Sequence, residues 1–140
     1  MILQSTPVLF VDKVEPSEAF FARLGFERTV SVPDGDGDEV GFVILMQGGR
    51  NDSGLGVMIQ TRQSARDDMT DADPALFEGS GTFLFVSVAD VDAAARALAG
   101  YEAFLPRRET FYGATEIGFR EPGGHHVVLA QFAANSPDEG

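Results

Sequence analysis

Histidines and carboxylates are the residues of this chain best suited to acid–base or ligand-holding chemistry, because cysteine is absent. Without Cys there is no disulfide framework, thiolate metal site or thiol nucleophile. The only histidines, His125 and His126, are adjacent. On a strand, neighbours point to opposite faces, so the two cannot easily share one ion. One reading makes both of them ordinary residues of a hairpin turn. The other places His126 on the face of Val128 and Ala130, where it could hydrogen-bond a ligand or act as a base. Glu109 and Glu116 flank an aromatic pair, Phe111-Tyr112, and are the acids best placed for proton transfer; the competing reading is two solvated strand residues.

Other patterns exclude chemistry. Asp34-x-Asp36-x-Asp38-Glu39 hints at a calcium loop, but an EF-hand needs Gly at its sixth position and Glu at its twelfth. Here those positions hold Glu39 and Leu45, so an acidic hairpin turn is the expectation. Gly35-Asp36-Gly37 and Gly54-Leu55-Gly56 lead into no helix and are not phosphate loops. No serine sits in a nucleophile elbow.

Aromatic residues say more. The chain has 12 Phe and 2 Tyr. Strand alternation puts Thr6, Val8 and Phe10 on one face, and likewise Phe83, Phe85 and Ser87, Met58 and Gln60, and Val128 and Ala130. These make a mainly apolar surface with few polar handles, the usual make-up of a small-molecule site. The alternative is that these side chains simply fill the core. Arg107-Arg108 could meet an anionic ligand or sit on the rim.

The elements that must position these residues follow from patterning. Val8 to Val11 reads as a strand, and Pro16 to Leu24 as a short amphipathic helix in which Ala19, Phe20, Arg23 and Leu24 recur at helical spacing and Gly25 ends the run. Strands follow at Phe26 to Val32, Val40 to Met46 and Leu55 to Gln60. An acidic connector, 61–80, carries one possible helical turn at Pro74 to Phe77. The same order then begins again. A strand spans Thr82 to Val88, and a helix capped by Asp90 ends at Gly100. Further strands span Ala103 to Glu109, Ala114 to Arg120 and His126 to Phe132. Val11-Asp12-Lys13-Val14-Glu15 registers on Val88-Ala89-Asp90-Val91-Asp92, an offset of 77 residues. The organisation is one domain, 1–132, of two βαβββ modules (5–60 and 81–132), with a flexible tail at 133–140. The fold class is α+β: a curved eight-stranded mixed sheet around a groove, with helices on its outer face.

Length and charge bound the function. A chain of 140 residues buries roughly 68–70% of its unfolded surface, enough to fold without staples. A net charge of −12 argues against nucleic acid or an anionic membrane as partner. No stretch resembles a signal peptide or a membrane span, so a cytoplasmic location is the expectation.

The repeat also resembles the vicinal oxygen chelate superfamily, which includes glyoxalase I, the bleomycin-resistance proteins and the extradiol dioxygenases. The landmarks are Val11-x-Lys13 through Phe20-Phe21-x-x-Leu24-Gly25-Phe26, similar to the family's first strand and helix, and Glu121-Pro122-Gly123-Gly124-His125, similar to its turn before the last strand. Thr110-Phe111-Tyr112-Gly113 resembles its aromatic-Gly segment. The resemblance implies that the Phe-bearing face lines a groove, that Phe111 and Tyr112 contact the ligand, and that the protein is a homodimer. In the family's metal enzymes four His or Glu side chains hold a divalent ion. Carried over by position, those sites fall on Thr6, Met58, Phe83 and Val128, none of which is a usual ligand.

The expected function is therefore metal-independent small-molecule binding of the bleomycin-resistance type, without cofactor or catalytic residues, for an apolar, aromatic or cationic ligand. The expected ligand-binding residues are Thr6, Phe10, Met58, Gln60, Phe83, Phe85, Arg108, Phe111, Tyr112, His126 and Val128. The alternative is a lyase- or isomerase-type enzyme of the same fold with relocated metal ligands or none.

Overall fold

The computed structural model describes residues 1–79 and 81–133. The expected tail, 133–140, lies outside the described residues from 134 onward. The chain divides into two compact units, Met1–Ser80 and Gly81–Gly140.

In the first unit the order is β1 (Val8–Val11), α1 (Val14–Ala22), β2 (Phe26–Pro33), β3 (Val40–Gln47), β4 (Gly56–Thr61), α2 (Arg62–Asp68) and a 3₁₀ turn (Pro74–Phe77). The strands form one sheet ordered β1-β4-β3-β2. Edge strand β1 runs parallel to β4, with Val8 opposite Met58 and Phe10 opposite Gln60. Leu9, Val11, Val43, Leu45, Val57 and Ile59 are fully buried, as are Val14, Phe20 and Phe21 of α1, which packs on β3 and β4. Each such side chain contributes on the order of 1.5–3 kcal/mol by leaving water.

The buried stripe of α1 is Val14, Ser17, Phe20 and Phe21, whereas Ala19 and Arg23 face solvent. The helix starts two residues before Pro16, whose missing N–H matters little in a first turn. Gly25 follows α1 with φ +92°, a backbone that suits glycine. A second difference lies in the connector. Residues 62–68 form α2, a helix the hydrophobic pattern does not show because Ala65 is its only buried residue.

The second unit repeats the order: β5 (Phe83–Ser87), α3 (Val91–Ala97), β6 (Ala103–Glu109), β7 (Ala114–Arg120) and β8 (His126–Phe132), with sheet order β5-β8-β7-β6. Asp90 Oδ1 accepts from Ala93 N at 3.0 Å, capping α3 as expected. Val127 and Leu129 are buried on the side of β8 that carries α3. The β7–β8 turn is held by buried Glu121, whose carboxylate accepts from Gly123 N at 2.8 Å and His125 N at 3.1 Å.

All eight expected strands are present, hydrogen-bonded as two four-stranded sheets, one per repeat. The repeat reappears in the strand pairing: Val8 pairs with Met58 in the first sheet, and Phe85, 77 residues on from Val8, pairs in the second with Val128, 70 residues on from Met58. Among the described residues no helix is long and apolar enough to cross a membrane.

Candidate functional site

In the second unit, strand alternation gives the sheet face opposite α3 to Phe83, Phe85 and Ser87 of β5, to His126, Val128 and Ala130 of β8, and to Glu116 and Gly118 of β7. Its aromatic end is built around glycine. A Cβ on Gly118 would lie 2.7 Å from the Phe104 ring, so only glycine leaves room for that ring. Phe104 stands edge-on to His126, with centroids 4.7 Å apart, and edge-on to Phe83 at 5.6 Å. Phe83 stacks on His126 at 5.0 Å with 23° between planes. His126 Nδ1 is buried without a hydrogen-bond partner among the described residues. Despite these contacts Phe83 stays 64% exposed and Phe85 50% exposed.

The other end of this face is polar. Glu116 is only 2% exposed. Its Oε1 accepts from Arg108 Nε at 3.1 Å and Nη2 at 2.9 Å, and its Oε2 accepts from the Tyr112 hydroxyl. The hydrogen bond to Glu116 holds the Tyr112 phenol above its ordinary pKa, because ionising it would destroy the donor and set two negative charges together. Tyr112 also lies against Phe132, which lies against Phe85, with centroids 6.1 and 6.2 Å apart. Phe111 meets Tyr112 edge-on and is otherwise fully exposed.

Of the residues expected at a ligand site, six thus stand in the second unit alongside Val128: Phe83, Phe85, Arg108, Phe111, Tyr112 and His126. Four belong to the first unit. Thr6 precedes β1 and is half-buried. Phe10 is edge-on to Phe77 at 5.2 Å, Met58 pairs with Val8, and Gln60 pairs with Phe10. Gln60 lines a cleft of about 430 Å³ with Val32, Asp34, Gly35, Phe42, Ser64, Asp67 and Asp68. Sequence reasoning missed the cleft's other members, and also Phe104 and Phe132 as ring partners. A usable signal was Thr61, whose hydroxyl accepts from Ser64 N at 3.0 Å and caps α2.

The metal site that the sequence resemblance would imply does not fit these residues. Phe83 and Val128 have no donor atom, and Met58 and Thr6 are poor ligands for the ions concerned. Among the described residues no three His, Asp or Glu side chains converge on a point that could hold an ion.

No protein-family model matches the chain. No curated protein matches it either. Solved structures do. A glyoxalase/bleomycin resistance protein/dioxygenase from Nocardioides is 20% identical, with a TM-score of 0.71 over 98% of this chain and 88% of that one. TioX from Micromonospora sp. ML1 is 18% identical, with a TM-score of 0.65 over 91% and 97%. A bleomycin resistance determinant encoded on the transposon Tn5 is 19% identical, with a TM-score of 0.61 over 94% and 99%. The chain carries the fold of the vicinal oxygen chelate superfamily, that of the glyoxalase/bleomycin resistance/dioxygenase proteins.

Proposed function

We propose that this protein binds a small apolar or aromatic molecule without a metal ion, in the manner of a sequestering or resistance protein. One observation carries the reading. Phe83 and Phe85 are large apolar side chains left open on a sheet face, where burial by a ligand would release water from both rings. The donor-poor residues at the four family positions support the metal-independent part. A homodimer in the cytoplasm belongs to the same reading.

Isothermal titration with bleomycin and with neutral planar aromatics tests it. The wild type binds at least one such compound in the micromolar range, and Phe83→Ala/Phe85→Ala weakens that binding tenfold or more. An absence of binding across the panel at high micromolar concentration sinks the proposal.

A second reading, a lyase- or isomerase-type enzyme, draws on the Tyr112–Glu116–Arg108 group. A buried carboxylate with a phenol on one oxygen is an acid–base pair in waiting. Turnover of an aldehyde or epoxide substrate that disappears in Glu116→Gln would favour it over pure binding.

A further inference from the structure

We infer that the aromatic face of the second unit takes a planar aromatic carboxylate, its rings over Phe83 and Phe85 and its carboxylate on Arg108. This rests on the small-molecule reading and deepens it by naming the ligand's class and its anchor.

Arg108 and Glu116 are register partners on neighbouring strands, so both belong to the face that carries Phe85, Val128 and Ala130. A guanidinium presents its N–H donors as a fixed planar fork. Glu116 takes only the side made by Nε and Nη2. Nη1 makes no hydrogen bond or ion pair among the described residues, and the side chain is 52% exposed. The end of the fork, formed by Nη1 and the second hydrogen of Nη2, is therefore open. A carboxylate fits such an end with two parallel hydrogen bonds. Glu116 is itself held by the Tyr112 hydroxyl, so the fork is fixed in place before a ligand arrives.

Burial decides between an anion and a cation. The Arg108–Glu116 pair is neutral in sum but not in what it shows to solvent. Its carboxylate is 2% exposed and already accepts three hydrogen bonds, so it cannot serve as counter-ion to a cationic ligand. Its guanidinium remains half open. The face's other cation, Arg120, is paired with Glu102 at 3.2 Å, and both of those side chains are exposed, so that pair shows no net charge. The accessible charge at the polar end is therefore positive. Aromatic contact leads away from it: Tyr112 lies against Phe132, and Phe132 against the half-exposed Phe85. A flat ring bearing a carboxylate satisfies both ends.

The test probes are 2-naphthoate, neutral 2-naphthylmethanol and cationic 2-naphthylmethylamine, followed by isothermal titration. The wild type should bind naphthoate in the micromolar range, at least tenfold tighter than the alcohol, with the amine no tighter than the alcohol. Arg108→Gln/Glu116→Gln removes the pair together, leaves no buried charge unpaired and keeps the net charge. It should bring naphthoate within threefold of the alcohol. Arg108→Lys keeps a counter-ion for Glu116 but lacks the fork, and should weaken naphthoate threefold or more. Arg107→Gln removes a cation that pairs with Asp92 of α3 at 3.1 Å, and should leave the preference within threefold of wild type. Equal binding of naphthoate and alcohol, or a preference that survives in the double variant, overturns this inference while the small-molecule reading stands. Tighter binding of the amine does the same. If none of the three binds, both fall. Sedimentation of the wild type and of Phe83→Ala/Phe85→Ala then shows whether a second copy covers the face instead.

Discussion

Arg108 forks onto a single oxygen of Glu116, at 3.1 and 2.9 Å, and so leaves the other oxygen to the Tyr112 hydroxyl. The pair crosses from β6 to β7, where the two residues are register partners. A charged group is therefore seated on a sheet face that is otherwise mostly apolar. Removing its charge tests what it contributes. Glu116→Gln keeps the shape but leaves Arg108 without a counter-ion and weakens all three hydrogen bonds. Bonds to charged groups contribute roughly 1.5–3 kcal/mol, and Arg108 is half-exposed, so a loss of about 1–2 kcal/mol is expected. Urea denaturation of the two proteins measures it; an unchanged midpoint would show that the group is dispensable for stability.

Tyr112 gives a prediction in pH. Its hydrogen bond to Glu116 raises the phenol's pKa in the folded protein. A raised folded-state pKa means that the unfolded chain releases the proton first. The stabilisation is therefore complete below the ordinary tyrosine value, about 10, and disappears as pH climbs through the folded value. In an ultraviolet titration at 295 nm, the absorbance step missing from Tyr112→Phe should lie above that ordinary value. A missing step at or below it contradicts the structure.

Gly118 sets up a packing test. A methyl group there meets Phe104 at 2.7 Å and Leu105 at 2.9 Å. Overpacking of this kind costs about 1–3 kcal/mol. Gly118→Ala should lower the melting temperature, and in a Phe104→Ala background the same change should cost far less. Additive losses would mean that Phe104 is not the obstacle.

Thr61 joins the cleft to its helix. Its hydroxyl accepts from Ser64 N at 3.0 Å and lies 3.5 Å from Asp34 Oδ2. Thr61→Val should cost about 1 kcal/mol, the usual loss of an N-cap. Amide exchange should accelerate first at residues 62–68, ahead of the rest of the first unit. Uniform acceleration would instead point to a general loss of stability.

Much of the fold was legible in the sequence. The last three strands fall on the expected residues, because Gly marks both of the turns that separate them. Asp90 announced its helix by residue type alone. By contrast, Arg62–Asp68 has no apolar stripe, so periodicity had nothing to register, and the cleft that depends on this helix stayed hidden with it. The site was legible on the aromatic side, where alternation assigns faces. It was not legible for Glu116, since Glu109 and Glu116 look alike in sequence and only the strand register sets one of them opposite Arg108. Nor could sequence foresee that Phe104 would reach across Gly118, because that contact joins neighbouring strands through a register irregularity between Ala103 and Leu105.

The parallel pairing of β1 with β4, and of β5 with β8, has a consequence for how this chain can be rebuilt. Each sheet takes all four of its strands from one continuous half of the sequence. A cut, an inserted tag or a longer joint at the boundary between the halves interrupts no strand ladder. The two halves are in that sense exchangeable parts, and a chain assembled from two copies of one half would inherit a complete set of ladder partners in each.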